Sequence, residues 1–271
     1  MQFLVFVAFA LVLSVPEGGP PWRHLSHPGA TLGIACGQIL LIALVSLLYA
    51  RSVRWRLEYD PAWLPGAQRR LSQGNTLHPG LLMLGLIVSV YGTGWTRLVR
   101  GWGFTGRIWG LDEIVILLPF LMSILAGWIA LYPADRAVRR VALEMQLWSS
   151  APVRPVWRLR QFLSFNFRQH VFIILLPMAP IVAANDFAAL YSRQIREATG
   201  IAWADQAVLV TVAGLVFFFA PLILRYVWHT RVLPAGDLRG RLEELCRRTG
   251  LTYRNILIWE SDGMVVNAAV M

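Results

Sequence analysis

Long uncharged apolar runs dominate this chain. Residues 30–50 form a run of 21 residues without a charge, between Pro28-Gly29 and Arg51. A bilayer core about 30 Å thick is crossed by about 20 apolar residues in a helix. Similar uncharged runs lie at 79–96, 114–134 and 206–224. The pattern therefore predicts four transmembrane helices at these positions.

Two further runs are shorter than a typical span. Residues 171–185 are apolar and carry two prolines, so the predicted helix reaches span length only by continuing past Asp186 to Tyr191. Residues 3–15 form a run of 13 residues. No arginine precedes this run and no A-x-A cleavage site follows it, which favours a retained first helix over a signal peptide.

The predicted fold class is an all-α polytopic membrane protein with about six transmembrane helices, in a membrane domain covering residues 1–230. The predicted spans lie near 2–22, 30–50, 79–96, 112–132, 170–190 and 206–226. Residues 135–149 place apolar side chains at helical spacing, with arginines largely on other faces. This pattern predicts an amphipathic helix on the membrane surface, and a solvated loop packed on later parts of the chain is the alternative.

Composition supports the membrane class. Hydrophobic residues make up 56% of the chain and charged residues 15%, with a mean hydropathy of +0.54. These values exclude a disordered or collagen-like chain. The net charge of +10 comes from 25 arginines without a lysine. No nucleic-acid-binding motif accompanies this charge, so the lipid bilayer, and not a nucleic acid, is the expected partner.

The arginines alternate between the two sides of the predicted topology. Segments 51–78, 135–170 and the tail from Arg225 hold 19 of them, whereas the other three loops hold 6. The positive-inside rule therefore predicts that both termini are cytoplasmic, in a multi-pass protein of a bacterial-type cytoplasmic membrane.

Few polar residues within the apolar region are candidates for chemistry. Asp186 is either an intramembrane carboxylate, which would mark a functional site, or the residue at which its helix ends. Asp112 and Glu113 precede a predicted span, where acidic residues stabilise a helix N-terminus. No histidine belongs to an HExxH motif, so we expect no metal ligands in this chain.

Gly29, Gly33 and Gly37 recur at every fourth position as the second span begins. Small residues at this spacing let two helix backbones approach closely. We expect this contact within the chain, and a dimer interface is the alternative. The oligomeric state is left open.

The composition changes after Arg231. Residues 235–249 predict a soluble amphipathic helix, residues 254–260 a strand, and residues 264–271 a second strand. Asp262-Gly263 between the two strands is a strong hairpin signal. A helix followed by a hairpin begins an α+β domain, here within residues 231–271.

The tail resembles the entry to the catalytic domain of the integral-membrane zinc metallopeptidases, the family of the heat-shock protease HtpX and the CAAX prenyl proteases. The similarity covers about 40 residues. The residues that carry it are Leu233-Pro234, Leu238-Arg239, Leu242, Leu245, Gly250, Asn255-Ile256-Leu257-Ile258 and Asn267-Ala268. The resemblance implies that this is the N-terminal, membrane-anchoring portion of a zinc-dependent membrane endopeptidase. It also implies that Asn267 and Ala268 bind substrate at the edge of the active-site cleft.

The chain departs from the family pattern because it stops before the HExxH helix and the third zinc ligand. Zinc hydrolysis requires three protein ligands, a bound water and a general base. We therefore expect the chain as given to be truncated and to contain no catalytic residue and no zinc, although the full-length family uses zinc and takes peptide or membrane-protein substrates. The alternative function is a non-catalytic polytopic membrane protein, either a pseudoprotease adaptor or a transporter or assembly subunit.

Overall fold

The structure is a computed structural model that describes residues 2–15, 27–103, 108–147, 156–228 and 230–259. Within these ranges it is mostly helical. Three helical segments are long and apolar enough to cross a membrane: Pro28–Tyr59, Leu118–Met145 and Leu159–Leu190. A fourth candidate is the bent pair Ser192–Thr199 and Ala204–Ala220, which meet at 103°. The chain is thus a helical protein with several candidate membrane spans.

Eleven helices and two strands follow one another through the described ranges. The helices are α1 (Gln2–Leu13), α2 (Pro28–Tyr59), α3 (Leu64–Ile87), α4 (Trp95–Arg100), α5 (Leu111–Ile116), α6 (Leu118–Leu147), α7 (Leu159–Phe167), α8 (Ile173–Leu190), α9 (Ser192–Thr199), α10 (Ala204–Val227) and α11 (Asp237–Arg248). Short π-helical turns cover Val88–Gly92 and Arg168–Phe172, and a 3-10 turn covers Pro61–Trp63. The strands are β1 (Thr230–Val232) and β2 (Leu257–Trp259).

The N-terminal run forms a helix at the centre of the packing. Val5, Ala8, Phe9 and Val12 of α1 are all at most 1% exposed. They share one hydrophobic core with residues of α3 to α8. Helix α2 packs most extensively against α6 and lies partly outside this core, so that its outer leucines are exposed.

Breaks divide two of the predicted spans. Leu117 separates α5 from α6, and Pro119 lies in the first turn of α6, where a missing N–H costs little. Within 79–96, the helix widens into the π turn of Val88–Gly92 and stops at Thr93. The Thr93 hydroxyl donates to the Ser89 carbonyl at 2.7 Å and accepts from the Trp95 amide at 3.3 Å. This side chain therefore ends one helix and begins the next.

One polar contact joins three helices inside the apolar bundle. The Ser89 hydroxyl donates to Oε1 of Gln38 at 2.6 Å, and Nε2 of Gln38 donates to Ser123 Oγ at 3.4 Å. Gly85 makes room for this arrangement, because a Cβ at this position would lie 2.6 Å from the Gln38 side chain. The close approach of two helices thus occurs at Gly85. A Cβ at Gly33 or Gly37 would meet nothing within 4 Å among the described atoms.

Other boundaries differ from the predicted ones. Residues 135–147 are the continuation of α6 rather than a separate interfacial helix. Ala134 and Val138 pack there against the end of α2 and the beginning of α3, which explains why the apolar stripe exists. Helix α8 passes through Asp186 and ends only at Leu190.

The tail forms a small unit beyond α10. Strand β1 pairs antiparallel with β2, with Arg231 opposite Ile258. The Leu233 amide donates to the Ile256 carbonyl at 2.9 Å, and Arg239 of α11 donates to the Leu233 carbonyl at 2.6 Å. Helix α11 and β2 lie within the predicted ranges, but β1 was not predicted. The predicted strand 264–271 lies outside the described residues.

Replacing Gly85 with alanine should destabilise the bundle by about 1–3 kcal/mol, because the new methyl group forces Gln38 out of its two hydrogen bonds. The measurement is the thermal unfolding midpoint of the purified chain in detergent. Gly214→Ala is the matched control, since a Cβ on that exposed helix position meets nothing within 4 Å. Equal midpoints for the two variants would contradict the close contact at Gly85.

Candidate functional site: a buried carboxylate cluster

Three acidic side chains are buried at one end of the helical bundle. Asp112 and Glu113 lie in the first turn of α5, and Asp186 lies in the last turns of α8. Their exposed fractions are 2%, 7% and 7%. Buried carboxylates are rare unless they are paired or hydrogen-bonded. We call these three residues the carboxylate cluster.

Asp186 connects α8 to the start of α5. Its Oδ2 accepts a hydrogen bond from the Gly110 amide at 2.7 Å. Gly110 has a left-handed backbone with φ of 80°, and a Cβ there would lie 3.4 Å from Val182 of α8. The amide at the start of α5 is therefore satisfied by a carboxylate from another helix.

Aromatic packing surrounds this connection. The Trp109 ring lies edge-on against Phe187 at 5.0 Å and against Tyr191 at 6.3 Å. These rings hold the loop before α5 against the end of α8. The Asp186–Gly110 hydrogen bond thus lies in a packed site beside these aromatic rings.

Glu113 has a buried oxygen that makes no hydrogen bond among the described residues. Its Oε2 is buried and accepts no hydrogen bond from any residue that the structure describes. Asp186 and Asp112 are close enough to repel it electrostatically, whereas Arg100 of α4 attracts it. Arg100 also donates to the Val15 carbonyl at 3.2 Å, which ties this end of the bundle to the end of α1.

The three carboxylates repel one another electrostatically. Burying several negative charges together is costly, because they lose their water and repel one another. Over the described ranges, no group of three or more His, Cys, Asp and Glu side chains is arranged to hold a metal ion. Asp186 also has a sufficient structural role as the hydrogen-bond acceptor for α5.

The sequence pointed to part of this cluster. Of the two alternatives for Asp186, the helix end is wrong, because α8 continues to Leu190. Asp112 and Glu113 do lie at a helix N-terminus as expected. Their approach to Asp186 could not be found from spacing, because the three residues lie on two helices far apart in the chain.

The residues that the family resemblance assigns to substrate binding, Asn267 and Ala268, lie outside the described residues. Of the tail residues that carry the resemblance, those from Leu233 to Ile258 are described and belong to the β1–α11–β2 unit. Cys36 and Cys246 are free thiols.

No protein-family model matches the chain, and no curated protein or solved structure is significantly similar to it.

Two variants of Asp186 distinguish stabilisation by its hydrogen bond to the Gly110 amide from stabilisation by its negative charge. Asp186→Leu removes the acceptor for the Gly110 amide and should lower the free energy of unfolding by about 1–3 kcal/mol. Asp186→Asn keeps an acceptor oxygen and should cost clearly less. Chemical unfolding of both variants in detergent measures this difference. Equal loss in both variants would mean that the negative charge, and not the acceptor, stabilises the site.

Proposed function

We propose that residues 1–230 form the membrane domain of an integral-membrane zinc endopeptidase, and that residues 231–271 begin its catalytic domain. One observation supports this most directly. Two residues separate β1 from the end of α10, and the described resemblance residues, from Leu233 to Ile258, lie in the β1–α11–β2 unit. A domain that begins in this way is held at the membrane by the last helix of the bundle.

The membrane domain would have two roles in such an enzyme. It would hold the catalytic domain at the bilayer surface, and it would control which membrane-embedded or misfolded chains reach the cleft. Zinc would be held by an HExxH helix and a third ligand beyond residue 271, so residues 1–271 alone would be inactive. Asn267 and Ala268 would lie on a strand at the cleft edge, where an extended substrate can add as a further strand.

A non-catalytic membrane protein is the second candidate. The buried carboxylate cluster favours it, because ionisable groups inside a helical bundle often belong to proton or solute pathways. A transporter or assembly subunit would use Glu113 and Asp186 directly, whereas a peptidase membrane domain would need only their structural contacts.

The proposed topology has six spans with both termini in the cytoplasm. Single cysteines at Gln68 and Gly240 should be labelled only from the cytoplasmic side, and a cysteine at Gln194 only from the opposite side, because the arginine-rich segments stay inside. The background carries Cys36→Ala and Cys246→Ser, since both native thiols are free. Labelling of position 240 from outside the cell would overturn this orientation.

The catalytic proposal is tested on the complete gene product. The reading frame beyond codon 271 should encode HExxH within a few tens of codons. The full-length protein should then hold one zinc per chain and cleave an unfolded substrate, whereas residues 1–271 alone should do neither. Metal analysis and a peptide-cleavage assay measure both properties. A full-length product without HExxH, zinc or cleavage would favour the non-catalytic candidate.

The same assay includes the two substrate-binding candidates. Asn267→Ala and Ala268→Trp should reduce cleavage with zinc content unchanged, because they alter the proposed cleft edge and not the metal site. The matched control is Gly240→Ala in α11, where a Cβ meets no described atom within 4 Å. Full cleavage by both variants would remove these two residues from the active site.

A further inference from the structure

Two arginines share one tryptophan at the turn between α2 and α3. The guanidinium carbon of Arg56 lies 5.8 Å from the Trp63 ring centre, and that of Arg70 lies 5.7 Å from it. Trp63 belongs to the 3-10 turn that Asp60 caps by accepting from the Ala62 amide at 3.0 Å. A Cβ at Gly66 would lie 2.3 Å from the indole nitrogen, so the glycine lets the ring pack closely. The ring and both guanidinium groups are thus held together.

No acidic side chain in the described ranges neutralises these two arginines. Neither makes an ion pair or donates a side-chain hydrogen bond to any residue in the described ranges. By contrast, Arg54 on the same helix is paired with Glu58 at 2.6 Å. A guanidinium carries five N–H donors at its edge, and a ring contact leaves that edge available. Two charged donor groups are therefore left for an external anion.

The depth of this group corresponds to the headgroup layer of a bilayer. Arg56 lies six residues beyond the uncharged run 30–50, which is about 9 Å along the helix. The Tyr49 hydroxyl, at the end of that run, donates to the Arg70 carbonyl. The polar layer on each side of the hydrocarbon is about 5–8 Å thick. Long arginine side chains reach into it from either direction.

An apolar track leads to Arg56 from the membrane interior. Leu41, Val45 and Leu48 of α2 are 59%, 41% and 59% exposed. At 3.6 residues per turn they lie about four, three and two turns before Arg56, on the same side of the helix. An acyl chain that lies along this apolar face would bring its phosphate towards the guanidinium groups.

We propose that Arg56, Arg70 and Trp63 form a binding site for an anionic phospholipid. The two guanidinium groups bind the phosphodiester, Trp63 positions them, and the exposed apolar face of α2 at Leu41, Val45 and Leu48 contacts one acyl chain. A phosphatidylglycerol headgroup fits because it brings a negative charge without a cation of its own. The choline of phosphatidylcholine carries a positive charge of its own, which the two unpaired arginines would repel. The site is independent of zinc hydrolysis.

The test uses the purified chain of 271 residues in a zwitterionic detergent. Phosphatidylglycerol is titrated into it, and native mass spectrometry counts the lipids bound to each chain. Neutralising Arg56 and Arg70 to glutamine should weaken the tightest lipid site, by roughly fivefold for each arginine. Trp63→Leu keeps every charge and should also weaken it, because the guanidinium groups lose their support. Phosphatidylcholine should bind more weakly than phosphatidylglycerol to the unaltered chain.

The matched control is the double variant Arg241→Gln/Arg247→Gln, which removes the same charge from exposed positions of α11. It should bind phosphatidylglycerol like the unaltered chain. Equal weakening in control and site variants would overturn the proposal, because net charge alone would then account for binding. Displacement of the lipid by millimolar inorganic phosphate would also overturn it, since the site would then be a general anion site. Each variant should unfold at the same temperature as the unaltered chain, so that lost binding cannot be explained by unfolding.

Discussion

Backbone hydrogen bonding in apolar surroundings is the constraint on which this bundle depends. A carbonyl or amide that leaves a regular helix has no water to bind there, so the protein must supply its partner. Several side chains do this at the breaks between helices. Thr93 bridges α3 and α4, Asp186 satisfies the first amide of α5, and the Trp95 indole donates to the Ile116 carbonyl at 3.1 Å where α5 ends. These polar contacts fix where each helix stops and which helix lies beside it.

The same constraint explains which features the sequence could predict. Runs of uncharged residues identify helices because burial of many side chains determines them together. Helices α8 and α10 follow their runs closely, whereas α2 continues past its run to Tyr59. The breaks depend on single side chains, such as Thr93, whose partners lie elsewhere. The continuation of α6 through residues 135–147 depends on packing against α2 and α3, which no local pattern contains. Strand β1 has three residues and exists only because β2 pairs with it from 25 residues further along.

The candidate site shows the same difference between what a local pattern contains and what distant contacts add. The acidic residues were visible in the sequence because charges are few in an apolar chain. Their grouping was not, because Gly110 must adopt a left-handed backbone to bring α5 against α8. The meeting of two arginines on Trp63 could not be predicted for the same reason. Arg56 and Arg70 lie on separate helices, and both guanidinium groups lie over the Trp63 ring, which packs closely on Gly66.

The junction between α10 and β1 limits what the proposed enzyme could cleave. Helix α10 ends at Val227 and β1 begins at Thr230, so the sheet starts within about 10 Å of the last helical turn. Arg239 of α11 donates to the Leu233 carbonyl at 2.6 Å, and the Leu233 amide donates to the Ile256 carbonyl, so hydrogen bonds join β1, α11 and β2. A catalytic domain that grows from this unit stays near the bilayer surface. In the proposed enzyme, segments that emerge from the membrane would therefore be cleaved more readily than the same segments in solution, because the tether raises their effective concentration at the cleft.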